Sequence, residues 1–339
     1  MKLAGFFAIV LALVPPLPVV AADTIVIKFS HMVAPSTPKG KAAEKFKQLA
    51  EERTQGRVKI EVYPNGQLYK DRDEIEALQL GSVQMLAPSL FKFGALGARE
   101  FEVFDLPYIF PNKATLYRVM DGALGKELFG KLEPKGVLGI AFWDNGFKQM
   151  SANKPLRLPV DFKGLQLCIQ PSKVLEAQMK ALGANPVPMV FSEVYTALQQ
   201  GVAGGTENPV SDFYTQKMHE VQKHLTLSDH GYLGYMVIVN KKFWEGLPAD
   251  IRGILEQAMQ ETTEYERAIA QQENDEALEK VRAAGTTQIH TLTPKEREAW
   301  RKQLTVVHKD FQDVVGQVNI ARINKIAAEV EKETKDKKP

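Results

Sequence analysis

Alternating apolar and polar positions predict strands and helices in turn through the first third of the chain. Val58, Ile60 and Val62 alternate with polar residues, which is typical of a strand with one buried face. Upstream, Thr37 and Pro38 provide an N-cap and a proline at the first helical position, before apolar residues at helical spacing. A β-branched run precedes this helix, and a second helix and a short strand follow Val62. The β-α-β-α-β order favours a mostly parallel sheet covered by helices.

A second round of strands and helices follows in the middle of the chain. Residues 136–143, 165–169 and 235–240 have the apolar patterns of strands. Residues 173–182 have apolar positions at helical spacing, and Ser192 is suited to cap the next helix. Two such rounds, joined by long strands, predict two lobes with a cleft between them, where α/β proteins bind ligands.

The C-terminal part of the chain is predicted to be mainly helical. Residues 248–284 form a long segment whose only helix breaker after Pro248 is Gly253, and Pro248 fits the first helical position. Thr293 and Glu296 form a capping box that opens a further helix. The charged residues 331–339 are expected to form a frayed, solvated tail.

The first 22 residues are typical of a secretory signal peptide. Lys2 precedes an apolar run over residues 3–14, and the small residues at 20–22 place the predicted cleavage site after Ala22. The apolar run is shorter than the roughly 20 residues that a membrane-spanning helix needs. The segment therefore predicts export to the periplasm.

Composition and charge exclude several classes of function. Of the 339 residues, 44% are hydrophobic and 25% charged, and the net charge of +2 gives no strong field for binding nucleic acid. Cys168 is the only cysteine, so no internal disulfide forms. The six histidines form no metal-binding motif, and neither a Walker motif nor a dinucleotide-binding loop is present. We therefore expect no metal or cofactor, and a binding protein rather than an enzyme.

Two connected motifs carry a resemblance to a known family. They are DFKGLQLCIQ at 161–170 and FSEVYTALQQGVAGGTENP at 191–209, and they resemble the solute-binding proteins of tripartite ATP-independent periplasmic (TRAP) transporters. Shorter matches in the same order, such as TPKG at 37–40 and WDNG at 143–146, extend the resemblance over essentially the whole mature chain. The branch it resembles is the C4-dicarboxylate-binding, DctP-like one.

The resemblance implies an α/β fold of two lobes, with a ligand cleft between them and a long helix spanning both. We assign residues 23–145 and 233–270 to lobe I, and residues 146–232 and 271–330 to lobe II. A receptor of this family closes its lobes on one small solute and delivers it to a small and a large integral membrane subunit.

The resemblance also implies a ligand site. Asn208 matches an asparagine that hydrogen-bonds a ligand carboxylate, Phe191 an aromatic residue that lies against the ligand, and Lys148 a basic residue beside them. Ser89 and Lys92 match cleft positions that vary with substrate. The predicted ligand-binding residues are Ser89, Lys92, Trp143, Asn145, Lys148, Cys168, Gln170, Phe191 and Asn208.

Cys168 departs from the family pattern, because it stands where the family carries an arginine that grips the ligand carboxylate. Losing one charge-assisted hydrogen bond costs about 1.5–3 kcal/mol. Lys148 and Lys92 could compensate, which keeps a small organic acid, held by Lys148 and Asn208, as the expected ligand. The alternatives are a polar neutral or cationic solute, a periplasmic ligand sensor and, least favoured, an enzyme that uses Cys168 as a nucleophile.

Overall fold

The computed structural model describes residues 24–336, so the predicted signal peptide and residues 337–339 lie outside the described residues. The strands are β1 (Ile25–Ser30), β2 (Val58–Tyr63), β3 (Met85–Leu86), β4 (Val137–Ala152), β5 (Gln166–Ile169), β6 (Asn185–Pro188), β7 (Gly205–Asn208), β8 (His224–Asn240) and β9 (Gln288–Thr291). The α-helices are α1 (Pro38–Arg53), α2 (Glu74–Gln79), α3 (Lys92–Ala95), α4 (Lys113–Asp121), α5 (Ala123–Leu132), α6 (Lys173–Ala181), α7 (Val194–Gln199), α8 (Val210–Thr215), α9 (Lys241–Glu245), α10 (Ala249–Ala284), α11 (Pro294–Leu304), α12 (Val307–Val315) and α13 (Gln317–Asp336).

The sheet is mixed rather than mostly parallel. Its strand order is β2-β1-β3-β8-β4-β7-β5-β6, with β9 beside β8. The outer pairs β1–β2, β1–β3, β5–β6 and β5–β7 are parallel, but β3–β8, β4–β8 and β4–β7 are antiparallel. The prediction of a mostly parallel sheet is wrong at the centre, because β4 carries the chain from lobe I to lobe II and β8 returns it in the opposite direction.

Strands β4 and β8 join the two lobes, as the sequence predicts. They contain 16 and 17 residues, far more than their neighbours. Their pairing shifts register between Asp144 and Gly146, where Gly146 has a φ of 145°. A β-bulge of this kind bends and twists a strand. It falls at the predicted boundary between the lobes, so we expect the lobes to move relative to each other about this point.

Helix α10 spans both lobes. It has 36 residues, which corresponds to a length of roughly 54 Å. It packs on α1 in lobe I and on α8 in lobe II. Midway along it, the buried Glu266 side chain accepts a hydrogen bond of 2.9 Å from the backbone N–H of Asp144 at the bulge. Neither α10 nor any other helix within residues 24–336 is long and apolar enough to cross a bilayer.

Most of the predicted helix starts are confirmed. The Thr37 side chain caps α1 by accepting from the Gly40 N–H, and Thr293 forms the predicted capping box with Glu296 at α11. Ser192 does not cap a helix, because a 3-10 turn over Phe191–Glu193 comes first and α7 begins at Val194. Helix α10 begins at Ala249, one residue later than predicted, and Pro248 is its N-cap.

The hydrophobic core is divided between the lobes. In lobe I, one cluster contains Phe104 and Met236, and another contains Phe29 and Trp143. In lobe II, one cluster contains Phe162, Trp300 and Met150, and another contains Cys168 and Met218. The cluster of Phe104 also includes Val174 of α6, from the segment assigned to lobe II, so the two apolar interiors are in contact there.

The C-terminal helix lies on a different lobe from the one the sequence analysis assigned. Helix α13 packs against α4, and Ile323 belongs to the same lobe I cluster as Val119, although residues up to 330 were placed in lobe II. Residues 331–336 continue this helix where a frayed tail was expected. Within this segment Glu333 accepts two hydrogen bonds, of 2.8 and 2.7 Å, from Arg118 of α4.

Candidate ligand-binding site

A cavity of about 610 Å³ lies between the lobes, and its volume suits a small solute. Lobe I contributes Lys39 from α1, Lys92 from α3 and Tyr235 from β8, while lobe II contributes Gln170 after β5 and Asp212 from α8. We call it the cleft cavity. Gln170 directly follows β5 and Asp212 lies shortly after β7, whereas Tyr235 lies within β8 and Lys39 in the first turn of α1.

The predicted ligand-binding residues fall into two groups. Those that line the cleft cavity are Ser89, Lys92, Gln170 and Phe191. Those that lie behind its wall are Trp143, Asn145, Lys148, Cys168 and Asn208. Of the second group, Asn145, Lys148 and Cys168 contact side chains that line the cavity, and the part of every predicted residue in ligand binding stays a prediction.

Phe191 joins the lobes at the edge of the cavity. Its backbone N–H, in lobe II, donates a hydrogen bond of 3.3 Å to Asp71 Oδ2 in lobe I. Its half-buried ring lines the cavity, which agrees with the predicted position against a ligand. Ser89 pairs with Tyr235 through an isolated β-bridge on the opposite wall.

Lys92 lines the cavity, but its charge is already compensated. Its ammonium group forms ion pairs with Asp71 and Glu74, and Glu74 is fully buried beside it. Burial alone would lower the pKa of Lys92, but the attraction of Glu74 and Asp71 raises it overall. A ligand carboxylate would have to compete with two carboxylates for this lysine.

Lys148 is also engaged, in a buried network behind the cavity. It is 1% exposed, and its Nζ donates to Glu207 Oε1 at 2.8 Å and to Gln170 Oε1 at 3.2 Å. The other Glu207 oxygen lies 2.8 Å from His230 Nε2. Burial disfavours the Glu207 carboxylate, but Lys148 and His230 outweigh it and hold the pKa of Glu207 at about 2. Lys148 therefore reaches the cavity only through Gln170.

Cys168 lies one residue behind the cavity wall. Its side chain is fully buried, and Sγ lies 3.3 Å from Sδ of Met189, which lines the cavity. Burial raises the pKa of the Cys168 thiol to about 11, so the thiol is neutral at neutral pH. The Asn208 amide donates to Thr206 Oγ1 at 3.2 Å, and Thr206 donates to the Cys168 carbonyl at 3.1 Å. These residues form one face of the lobe II sheet.

Asn145 positions two of the side chains that line the cavity. Its Nδ2 donates to Asp212 Oδ2 at 2.6 Å and to the Tyr235 hydroxyl at 2.8 Å, and its Oδ1 accepts from Ser211 Oγ at 3.0 Å. Trp143, two residues earlier, belongs to the lobe I core and donates from Nε1 to Thr263 Oγ1 at 3.1 Å. Asn145 thus supports the cavity wall, whereas Trp143 supports the lobe.

Sequence reasoning missed Lys39 and Asp212. Lys39 is 2% exposed, lies 3.5 Å above the centre of the Tyr235 ring, and donates to the Ala87 carbonyl at 3.0 Å. Burial lowers the pKa of Lys39 to about 8, although Glu74 and Asp212 oppose the shift. Burial raises the pKa of Asp212 to about 6, although Lys39 opposes it. The only signal was TPKG, in which a lysine in the first turn of a helix is usually a surface charge.

The chain is similar to known solute-binding proteins over most of its length. The family described as bacterial extracellular solute-binding protein, family 7, matches residues 29–313. The chain is 60% identical over 327 residues, 96% of this chain and 97% of the relative, to the C4-dicarboxylate-binding periplasmic protein DctP of Rhodobacter capsulatus. It is 44% identical over 295 residues, 87% of this chain and 84% of the relative, to the C4-dicarboxylate-binding protein DctB of Bacillus subtilis.

Solved structures show the same fold. A TRAP periplasmic solute-binding protein from Shewanella oneidensis with bound succinate matches with a TM-score of 0.88 and 41% identity, over 90% of this chain and 99% of that one. The sugar acid-binding protein DctPAm from Advenella mimigardefordensis, in complex with galactonate, matches with a TM-score of 0.87 and 30% identity, over 91% and 99%. The two-lobed α/β architecture is thus shared with proteins that hold quite different acids.

Proposed function

This chain belongs to family 7 of the bacterial extracellular solute-binding proteins, the solute receptors of TRAP transporters, and on that premise we propose that it binds a small organic acid in the cleft cavity. The resemblance found in the sequence is confirmed. The observation that carries the proposal is the cavity of about 610 Å³ between the lobes, in which the buried Lys39 is a cation that forms no ion pair within residues 24–336, whereas Lys92 is paired with Asp71 and Glu74. Relatives named for C4-dicarboxylates support an acid as the ligand.

Delivery to membrane subunits belongs to the same proposal. The receptor would work in the periplasm and pass its solute to the small and large integral membrane subunits of a TRAP transporter. The predicted signal peptide and the periplasmic relative from Rhodobacter capsulatus support this location. A periplasmic sensor would use the same cavity, and neighbouring genes for two membrane subunits would distinguish a transport receptor from it.

Binding rather than catalysis is supported by the state of Cys168. A nucleophilic cysteine is a thiolate near neutral pH, and burial raises the pKa of this thiol to about 11. Closure of the lobes is the expected response to a ligand, because a solute that contacts both lobes stabilises the closed arrangement. The contact between the Phe191 N–H and Asp71 lies where the lobes would meet.

Small organic acids are expected to raise the melting temperature of the mature protein, residues 23–339, while neutral polyols and amines are not. A ligand at 100 times its Kd adds about 2.7 kcal/mol to the free energy of unfolding, enough for a measurable rise in Tm. The protein is unfolded, dialysed and refolded before the thermal-shift screen, so that no ligand is carried over from the cell. Stabilisation by a polyol or an amine, with no response to any acid, would contradict the proposal.

A further inference from the structure

Asp212 is a buried carboxylate beside the cleft cavity, and one of its oxygens is buried without a hydrogen-bond partner within residues 24–336. It lies in α8, is 1% exposed and lines the cavity. Its Oδ2 accepts the hydrogen bond from Asn145, but its Oδ1 has no hydrogen-bond partner in the part of the chain that the structure describes. A buried carboxylate oxygen is stabilised by accepting hydrogen bonds. Asp212 Oδ1 is therefore suited to accept a hydrogen bond from a ligand.

Lys39 lines the same cavity from lobe I and is a positively charged hydrogen-bond donor. Its ammonium group has three donors, of which one goes to the Ala87 carbonyl at 3.0 Å. The group lies against the face of the Tyr235 ring, which leaves donor capacity towards the cavity. Lys92 is paired with two carboxylates, and Arg72 lies at the exposed rim. Lys39 is thus the buried cation in the cavity that is best placed to receive a carboxylate.

Lys39 and Asp212 both line the cleft cavity, but they do not contact each other. Each shifts the pKa of the other, so they lie within electrostatic range. Among residues 24–336, however, no ion pair joins them. Asn145 contacts both Asp212 and Tyr235, so Asp212, Tyr235 and Lys39 form one continuous wall. A ligand that contacts both ends of this wall connects lobe I to lobe II.

We propose that Lys39 and Asp212 form a two-point subsite that selects an organic acid with a hydroxyl group close to a carboxylate. Lys39 donates to the carboxylate, and Asp212 Oδ1 accepts from the hydroxyl. This inference rests on the proposed function and names the class of acid. In this subsite Lys39 supplies the cation that position 168 lacks, because residue 168 is a buried cysteine.

The charges in the cavity favour this class over two others. An acid with no hydroxyl would leave Asp212 Oδ1 unpaired beside the ligand's own carboxylate, which is repulsive. An amino acid could bond to Asp212 through its ammonium group, but that group would lie near the positive charge of Lys39. A hydroxyl donates to Asp212 without adding charge. A site built to bond a ligand hydroxyl discriminates strongly against the analogue that lacks it.

Succinate and malate test the assignment, because they differ by one hydroxyl. Isothermal titration at neutral pH should show that the better-bound enantiomer of malate binds the mature wild-type protein about 10- to 100-fold more tightly than succinate. In Asp212→Asn, the amide can keep the bond to Asn145 but presents a donor to the cavity. The malate-to-succinate ratio should fall towards one, and succinate should bind more tightly than it does to the wild type.

Lys39→Met removes the charge and keeps the bulk, so it should weaken both acids by a similar factor of about 10 to 100. Lys45→Met, on the same helix but outside the cavity, should change neither. If Lys39→Met does not fold, the ratios of the wild type and Asp212→Asn still decide the assignment.

Two results would overturn the inference, and they are distinguishable from failure of the proposed function. If the wild type binds succinate as tightly as malate, or if Asp212→Asn leaves their ratio unchanged, Asp212 does not select a hydroxyl, while the protein remains an organic-acid receptor. If no acid binds the wild type, the proposed function and this inference both fall.

Discussion

Replacing Lys148 by methionine is expected to lower the free energy of unfolding by about 3–5 kcal/mol. The substitution leaves the Glu207 carboxylate buried with His230 as its main partner, because Lys148 supplies the ammonium group 2.8 Å from Oε1. Breaking one side of a buried ion pair is costly, since the remaining charge has been removed from water. Denaturant unfolding followed by circular dichroism measures the difference.

The double variant Lys148→Met/Glu207→Gln should recover much of this loss, because it removes both charges together. Lys154→Met, at an exposed position just after β4, is the matched control and should change the free energy of unfolding by less than about 0.5 kcal/mol. Equal stability of the wild type and Lys148→Met would show that this ion pair does not hold lobe II together.

The same network predicts how stability depends on pH. The pKa of Glu207 is lowered from 4.5 to about 2 in the folded protein. Its contribution is therefore fully present above pH 4.5 and is lost as the pH falls towards 2. In Lys148→Met the pKa of Glu207 rises, so its contribution at neutral pH is smaller and the free energy of unfolding should fall less steeply between pH 4.5 and 2 than in the wild type. Identical acid-unfolding curves would contradict the assignment of the shift to Lys148.

Replacing Cys168 by arginine is expected to strengthen succinate binding about tenfold or more, and to destabilise the protein in the absence of ligand. The Cys168 side chain lies in an apolar cluster with Met218 and contacts Met189. An arginine there would displace Met189 towards the cavity and bring a guanidinium group to its wall. Without a ligand the group is poorly paired, whereas a carboxylate in the cavity would pair with it.

Cys168→Met separates the effect of charge from that of bulk, because it also fills the cluster but adds no charge. Overpacking alone costs about 1–3 kcal/mol, so both variants should melt earlier than the wild type. Only Cys168→Arg should show a larger rise in Tm with succinate than the wild type shows. A folded Cys168→Arg protein that binds succinate no better than Cys168→Met would mean that position 168 has no part in acid recognition.

Local sequence signals were sufficient for the parts of the fold that depend on neighbouring residues. The capping box at Thr293 and the cap at Thr37 involve residues three positions apart, so their hydrogen bonds can be predicted from the sequence. The long helix over 249–284 follows from the near absence of helix breakers there, whereas only 136–143 of β4 and 235–240 of β8 were predicted as strand. The ordered motifs were specific enough to indicate the family. Each is a short run of consecutive residues, so it can be recognised without knowing how the strands pair.

The tertiary structure decided which charged side chains line the cleft cavity. From the sequence, Lys148 was the expected cation, yet it is paired with Glu207, 59 residues away. Lys39 began a helix like any surface lysine, yet α1 packs so that its ammonium group is buried beside Tyr235. Asp212 is oriented by Asn145, 67 residues earlier. A local pattern specifies helix and strand, but the partner of a buried charge is set by contacts between distant segments, which form only when β4 and β8 bring the lobes together.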